Sequence, residues 1–291
     1  MIELASVAEI RAWSRAQRRA GRRVGCVPTM GCLHEGHLRL VDRAREVADV
    51  VALSIFVNPL QFGPEEDLAR YPRDLPRDRA AAERRGVDCL FVPSVEQMYP
   101  RPARVTVDPG ALADHLCGPR RPGHFAGVLT VVAKLFHVIE PDVAVFGRKD
   151  AQQAQLVRRM AADLSFPVEI NVAPTVREPD GLAMSSRNVY LSPAERRAAA
   201  TIPQALQAGH AAFQAGARRA AKILQAVTAT LARAPALRPE YVEVVDPESL
   251  APIDPVEAGT LLALAVRAGT TRLIDNVTLG NGLRGDPTLD G

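Results

Sequence analysis

From residue 23 to residue 172 the sequence alternates short apolar runs with longer stretches of helical period, and few architectures accommodate that alternation. Residues 23–27, 50–56, 88–92, 143–146 and 168–172 read as strands. They are mostly apolar, as strands covered on both faces must be. Between them lie segments whose apolar residues recur every three or four positions. One spans 36–48, with Leu38, Val41, Ala44 and Ala48 on one face, and a charged one spans 77–85 and stops at Gly86. Others span 127–139 and 151–164. A first helix precedes them all: Ser6 with Glu9 makes a capping box, and Gly21 supplies the stop after Ala20. Strand and helix in alternation predict a parallel sheet with helices on both faces. In such a sheet ligands lie beyond the carboxyl ends of the strands, which singles out the loops 28–36 and 147–150.

The pattern changes near residue 175. Ser192-Pro193-Ala194-Glu195 is a strong helix start, and one helical stretch is expected from there to about Ala215, with Gly216 as its stop. A second helix is expected over 220–232. Residues 241–245, 260–266 and 272–279 read as strands, the last two joined across 267–271 as a hairpin. Helices followed by strands predict a smaller α+β domain, so the expected domains are 1–175 and 176–291.

Several function classes are disfavoured. With 47% hydrophobic and 24% charged residues and no low-complexity tract, the 291-residue chain is globular. No apolar run approaches the roughly 20 residues of a membrane helix. The start has no basic segment and no signal-peptide core, so a cytoplasmic protein without a membrane partner is expected. Cys26, Cys32, Cys89 and Cys117 include no C-x-x-C pair, which favours reduced, partly buried thiols over a zinc or redox site. A net charge of +3 does not point to nucleic acid. Arg11, Arg15, Arg18, Arg19, Arg22 and Arg23 mostly follow helical spacing around Ile10 and Trp13, and are read as a solvated helix face rather than a nucleic-acid patch.

Four strings carry chemistry. Pro28-Thr29-Met30-Gly31-Cys32-Leu33-His34-Glu35-Gly36-His37 brings two histidines and a glycine to the start of a helix. Unpaired N–H groups and the helix dipole suit that place to phosphate, and two imidazoles can donate to a phosphoryl group as its charge grows. No third ligand with supporting spacing recommends zinc there. Val145-Phe146-Gly147-Arg148-Lys149-Asp150 ends a strand on a glycine and sets a lysine before a helix, where it can act as a point charge for phosphate oxygens. The amide of either Gln152 or Gln153 could face the crevice. Gly181-Leu182-Ala183-Met184-Ser185-Ser186-Arg187-Asn188 offers two hydroxyls and a guanidinium that could clamp a triphosphate. Ile55-Phe56-Val57-Asn58-Pro59-Leu60-Gln61-Phe62 sets a glutamine amide among apolar residues, as a small-ligand site often does.

Together these strings resemble the pantothenate synthetase, or pantoate–beta-alanine ligase, family. So do Tyr71-Pro72-Arg73, Arg121-Pro122-Gly123-His124-Phe125, Lys134-Leu135-Phe136 and Arg272-Leu273-Ile274-Asp275-Asn276, which follow in the family's order. The resemblance implies a Rossmann-like domain of the H-x-G-H nucleotidylyltransferase superfamily with a small C-terminal lid. It implies a cytoplasmic homodimer that joins pantoate to beta-alanine using ATP and Mg2+. By resemblance, His37, His34 and Lys149 are catalytic, His37 as a proposed proton donor. Met30, Gly31, Cys32, Leu33, His34, Glu35, Gly36 and His37 would bind ATP. So would Gly147, Arg148, Lys149 and Asp150, and likewise Met184, Ser185, Ser186 and Arg187, while Val176 would contact the base through its backbone. Gln61 and Gln153 would hold pantoate, with Gln61 also where beta-alanine arrives. No metal ligand is assigned among these residues.

The sequence departs from the family pattern in three places. Arg148 stands where a glutamate is usual, Cys117 where the family often has the glutamate of Leu-Glu-Gly, and Ala126 where a polar residue is common. Two rival readings exist: another adenylyltransferase of the superfamily, and a nucleic-acid binder using the arginine-rich first helix. The paired glutamines, with no further phosphate-binding cluster, favour a small carboxylate substrate.

Overall fold

Every expected N-terminal strand joins one parallel sheet in the computed structural model, which describes residues 1–64, 66–101 and 104–283. The strands are β1 (Ile2–Leu4), β2 (Val24–Thr29), β3 (Val50–Ile55), β4 (Cys89–Phe91), β5 (Val143–Gly147) and β6 (Glu169–Ala173). Their order is β1-β4-β3-β2-β5-β6. β1 had no sequence signal. It is three residues long, Ile2 and Glu3 are exposed, and only its pairing with β4 makes it a strand.

The connecting helices are α1 (Val7–Arg19), α2 (Glu35–Val47), α3 (Leu75–Arg84), the short α4 (Val95–Met98), α5 (His124–Ile139) and α6 (Ala151–Asp163). Right-handed crossovers put α2 and α3 on one face of the sheet and α1, α5 and α6 on the other. The α2 face is built from Leu40, Val41 and Ala44, packed on Val27, Val51, Leu53 and Val145 and on Ala82 of α3. Leu38, expected in that row, lies in the first turn of α2 beyond the strand ends and is half-buried. The capping box of Ser6 and Glu9 starts α1 as expected. The arginine row is mostly solvent-exposed but ion-paired: Arg15 with Glu140 at 2.9 Å, Arg18 with Asp142 at 3.4 Å, and Arg23 with Glu169 at 2.6 Å. Exposed pairs of this kind stabilise little.

The chain separates into two compact units. The first comprises residues 1–110, 121–148 and 153–173; the second takes 111–120, 149–152 and the chain from 174 onward. Two short N-terminal segments, 111–120 and 149–152, thus group with the second unit. Gln152 explains the grouping. Its side-chain oxygen accepts the Cys117 N–H at 2.9 Å, and its amide donates to the Leu112 and His115 carbonyls at 3.0 and 2.9 Å. Leu116 then joins an apolar cluster with Val245, Leu250, Leu261 and Ala263. The expected C-terminal domain ran to residue 291, and its last residues, 284–291, lie outside the described residues.

The second unit contains α7 (Pro193–Ala199), α8 (Thr201–Gln214) and α9 (Ala220–Leu231), with the antiparallel strands β7 (Leu237–Val245), β8 (Leu261–Ala268) and β9 (Thr271–Thr278) in that order. The single helical stretch expected up to Ala215 is interrupted at Ala200. Pro203 is the cause. It has no N–H to give the Ala199 carbonyl and its ring crowds that turn, so it is tolerated only in the first turn of a new helix. The expected five-residue hairpin connection shrinks to Gly269-Thr270, and Gly269 takes φ 58°, which a tight two-residue turn asks of glycine. Ile202, Leu206, Ile223 and Val227 pack on Leu262, Leu264, Val266 and Leu273 to form this unit's core.

One close approach ties the first unit's core to a loop. Where α5 crosses the turn Pro59–Gln61, a Cβ on Gly127 would overlap the Leu60 carbonyl oxygen and stand 2.7 Å from the Gln61 nitrogen. Gly127→Ala must therefore push the turn away, at a cost of about 1–3 kcal/mol. Chemical denaturation is expected to show that loss, with a rise in the KM of any ligand that Gln61 holds.

Candidate active site

β2 and β3 remain paired from Val24↔Val50 to Thr29↔Ile55, whereas the β2–β5 ladder pairs Gly25↔Val143 and Cys26↔Ala144 and then ends. Peptide groups point alternately to the two sides of a strand. The Val24 oxygen accepts from Asp142 on the β5 side, and the Thr29 oxygen accepts from Phe56 on the β3 side. Pro28 therefore turns its nitrogen toward β5, and a proline nitrogen has no hydrogen to donate. The ladder stops and the two strands part at their carboxyl ends. This is where the strand order reverses, the position at which parallel sheets take ligands.

The loop after β2 is held from beneath. The Thr29 hydroxyl donates to the Ser54 carbonyl at 2.7 Å and accepts the Gly31 N–H at 3.2 Å. Gly31 and Cys32 both have positive φ, 80° and 50°, which costs a non-glycine residue free energy that must be offset. Asp78 of α3 supplies the offset. Its two carboxylate oxygens accept the Cys32 and Leu33 N–H groups at 2.7 Å each, and the side chain is 1% exposed. Burial pushes the Asp78 carboxyl above its ordinary value, against the pull of these two bonds. Leu33 is buried in the core beside α2. Burial, aided by the Asp78 charge, likewise raises the Cys32 thiol, so the loop cysteine stays protonated.

His34 is the N-cap of α2 and His37 lies in its first turn; their rings are 4.0 Å apart, centre to centre, and inclined by 33°. The His34 N–H points to His37 Nδ1 at 3.4 Å. An accepting Nδ1 carries no proton, so the neutral His37 ring carries its hydrogen on Nε2, the atom that can then serve as donor. Glu35, placed by resemblance in the nucleotide group, turns its side chain to Arg85 and Arg39 instead, so its main chain is what remains for a ligand. Beside the loop lies a cavity of about 310 Å³, lined by Met30, Gly31, Ile55, Phe56, Arg73 and Asp78.

Gln61 is buried and its amide is oriented from both ends. Its oxygen accepts from Asn58 Nδ2 at 3.1 Å and its Nε2 donates to Met30 Sδ at 3.1 Å. Each end keeps one further lone pair or hydrogen for a ligand. Asn58 is fully buried, donates to the Gly127 carbonyl at 3.0 Å, and accepts from the Tyr99 hydroxyl at 3.0 Å. Burial pushes the Tyr99 phenol up to about 12, which keeps it a neutral donor. Lys134 Nζ lies 5.5 Å from the centre of the Tyr99 ring. The Gln61 carbonyl meets His124 Nδ1 at 2.8 Å, and Arg121 bridges His124 Nε2 at 2.8 Å to Glu66 at 2.6 Å. Burial alone would raise the Glu66 carboxyl; the Arg121 fork outweighs it and holds the group below its ordinary value. Of the motifs at 71–73, 121–125 and 134–136, the second meets Gln61 directly through His124 and Arg121, and the third approaches it through Lys134 over the Tyr99 ring. Gln153 is half-buried in the first turn of α6, while Gln152 spends both polar atoms on the 111–120 segment.

The remaining residues expected to bind nucleotide divide between the units. Gly147 closes β5 and Arg148 opens the turn that follows it, both in the first unit and both half-buried. In the second, Lys149 and Asp150 lie in a single tight turn before α6. Val176 is buried, and its carbonyl accepts the Met184 N–H at 3.0 Å, closing a loop that presents Met184, Ser185, Ser186 and Arg187. Ser185 caps the turn Ser186–Tyr190 by accepting the Arg187 N–H at 3.2 Å. Sequence reasoning overlooked Asp78 and gave Asn58 no role. An aspartate in a charged helix looks like a solvated one; the signal for Asn58 was an amide directly after a buried strand.

The sequence matches the family described as Pantoate-beta-alanine ligase over residues 3–278. The pantothenate synthetase of Pelotomaculum thermopropionicum is 54% identical over 280 residues, 96% of this chain and 99% of that protein. The crystal structure of pantothenate synthetase from Thermus thermophilus superposes with a TM-score of 0.90 at 50% identity, covering 96% of this chain and 99% of that one. The pantoate-beta-alanine ligase of Francisella tularensis, complexed with beta-gamma ATP and beta-alanine, gives 0.82 at 31% identity, covering 97% and 99%.

Replacing Asp78 by alanine leaves two buried N–H groups without an acceptor, each costing about 1–3 kcal/mol. Asp78→Ala is expected to lower the denaturation midpoint and to slow any reaction the loop supports, with Asp78→Asn intermediate because one oxygen remains. Unchanged stability and rate in both variants would remove the clamp.

Proposed function

Because the chain belongs to the pantoate–beta-alanine ligase family, we propose that His37, His34 and Lys149 carry its adenylation step. The enzyme condenses (R)-pantoate with beta-alanine at the expense of ATP, giving pantothenate, AMP and pyrophosphate through a pantoyl adenylate. A carboxylate is a poor acyl donor, so it is first activated. A pantoate carboxylate oxygen attacks the α-phosphorus in line, and the bond to pyrophosphate breaks. In the second half-reaction the free amine of beta-alanine attacks the adenylate carbonyl, AMP leaves with the bonding pair, and the amine proton is lost.

The observation that carries the residue assignment is the pair of closely apposed histidines at the start of α2, where the sheet's strand order reverses. Two anions must be brought into contact there, which needs donors and positive charge already in place. His37 Nε2 donates to the phosphoryl oxygens as charge builds toward the leaving pyrophosphate, and His34 steadies the same group. The first N–H groups of α2 and the dipole of that helix complete the cradle. Lys149, Ser185, Ser186 and Arg187 hold the triphosphate, with Gly147, Arg148 and Asp150 in the same nucleotide loop and Val176 and Met184 at the base. Gln61 and Gln153 orient pantoate, and Gln61 also receives beta-alanine.

Among the described residues no group of three or more His, Cys, Asp or Glu side chains could hold a metal ion. Magnesium is accordingly proposed to enter with the nucleotide, on phosphate oxygens and water, and no residue is assigned to it. Among the described residues no helix is long and apolar enough to cross a membrane. A cytoplasmic homodimer is the setting the family suggests, and four free cysteines suit a reducing compartment.

The decisive measurement is AMP release, which is expected to require both pantoate and beta-alanine. AMP formation indifferent to either substrate would overturn the reading. His37→Ala is expected to slow adenylation roughly 100-fold or more in single-turnover assays, as loss of a positioned proton donor does. A near-normal rate would take His37 out of the mechanism.

A further inference from the structure

We propose that Asn276 of β9 is a positioning residue for ATP, acting through the main chain of Lys149. The proposal rests on the reading of Lys149 as a triphosphate ligand. Asn276 is buried, and its Nδ2 donates to the Lys149 carbonyl at 2.9 Å. Lys149 lies in the three-residue turn between β5 and α6, where no strand ladder or helix holds its own peptide plane from both sides. A lysine ammonium ends a flexible four-carbon stem, so its reach is only as well defined as its backbone. One hydrogen bond to the carbonyl of that residue fixes where the stem begins.

The donor is itself held rigidly. The Asn276 N–H donates to Asp275 Oδ1 at 2.8 Å. Asp275 in turn forms a two-pronged ion pair with Arg177, at 2.8 and 3.1 Å, and the two side chains are 1% and 3% exposed. Arg177 also donates to the Gly181 carbonyl at 3.0 Å and forms a strand bridge with Ala183. Those contacts brace the loop that presents Met184 to Arg187. Adjacent residues of one strand therefore hold two separate segments read as phosphate ligands: Asn276 the lysine turn, and Asp275 the serine–arginine loop. Apolar residues of the same volume would fill this space without the desolvation cost of a buried ion pair. What they lack is direction, and a directional bond is what a lysine turn needs.

The test compares Asn276→Ala and Asn276→Asp with Lys149→Ala in steady-state kinetics. The aspartate sets an acceptor against the carbonyl at unchanged volume, so it reports even where the alanine variant packs poorly. Both Asn276 variants are expected to raise the KM for ATP about 5- to 10-fold, the range of one lost hydrogen bond. The KM values for pantoate and beta-alanine should stay within about twofold, because a bond to the lysine turn bears on one substrate alone. In the Lys149→Ala background, Asn276→Ala should add little to the ATP effect, as residues acting through one another are non-additive. A fully additive effect, an equal rise in all three KM values, or lost thermal stability with unchanged ATP kinetics would overturn the positioning role and leave Lys149 as a ligand. Normal ATP kinetics in Lys149→Ala would instead overturn the ligand reading itself, and the proposal with it.

Discussion

The hydrogen that Pro28 lacks shapes the centre of this fold. β2 is a central strand of the parallel sheet, bonded to β3 throughout but to β5 only as far as Cys26. Any other residue at 28 would offer β5 a further donor and draw the two strand ends together. Proline ends the ladder where the strand order reverses, so the crevice is a property of backbone chemistry before any ligand is considered. The histidine loop leaves the sheet at that gap.

The irregular segments of both units are held mainly by buried polar side chains gripping main-chain groups. Asp78 takes two N–H groups of the histidine loop, Gln152 takes three main-chain groups of the 111–120 segment, and Asn276 takes the Lys149 carbonyl. A buried polar group is costly unless it is satisfied, and once satisfied it permits one geometry. Apolar packing supplies most of the stability but tolerates sliding. A phosphoryl-transfer site tolerates much less, because reacting atoms must be aligned and donors fixed beforehand. The loops are irregular in outline and rigid in their attachments.

The departures from the family pattern fit the same logic. Cys117 occupies the position of a usual glutamate, and its thiol meets the Tyr241 hydroxyl at 3.3 Å and the Arg272 guanidinium at 3.4 Å. Arg272 does not lack a carboxylate, since Glu240 accepts from its Nε at 2.7 Å. Burial alone would raise the Glu240 carboxyl, and Arg272 with Arg267 holds it below its ordinary value. Arg148 opens the turn after β5, next to Lys149, and nothing in the structure explains why arginine stands there in place of the expected glutamate.

The sequence alone determined the strands and helices whose signal is local: apolar runs, three-to-four-residue periods, and the capping boxes at Ser6 and Ser192. Each reports the free energy of a short segment against water, which a reader can evaluate without partners. The break at Ala200 also has a local cause, since Pro203 acts on its own preceding turn, although one uninterrupted helix was expected there. The H-x-G-H string and Lys149 could be found for the same reason, since their chemistry is written in residue type and short spacing. Tertiary structure decided what depends on distant partners. β1 is a strand because β4 lies beside it, and Asp78 is a clamp because a loop 45 residues away presents two N–H groups to it. Gln152 holds main-chain groups 35 to 40 positions away, and Asn276 reaches a residue 127 positions away. Such pairings are chosen by the closing of the chain on itself, and no local preference in the sequence encodes them.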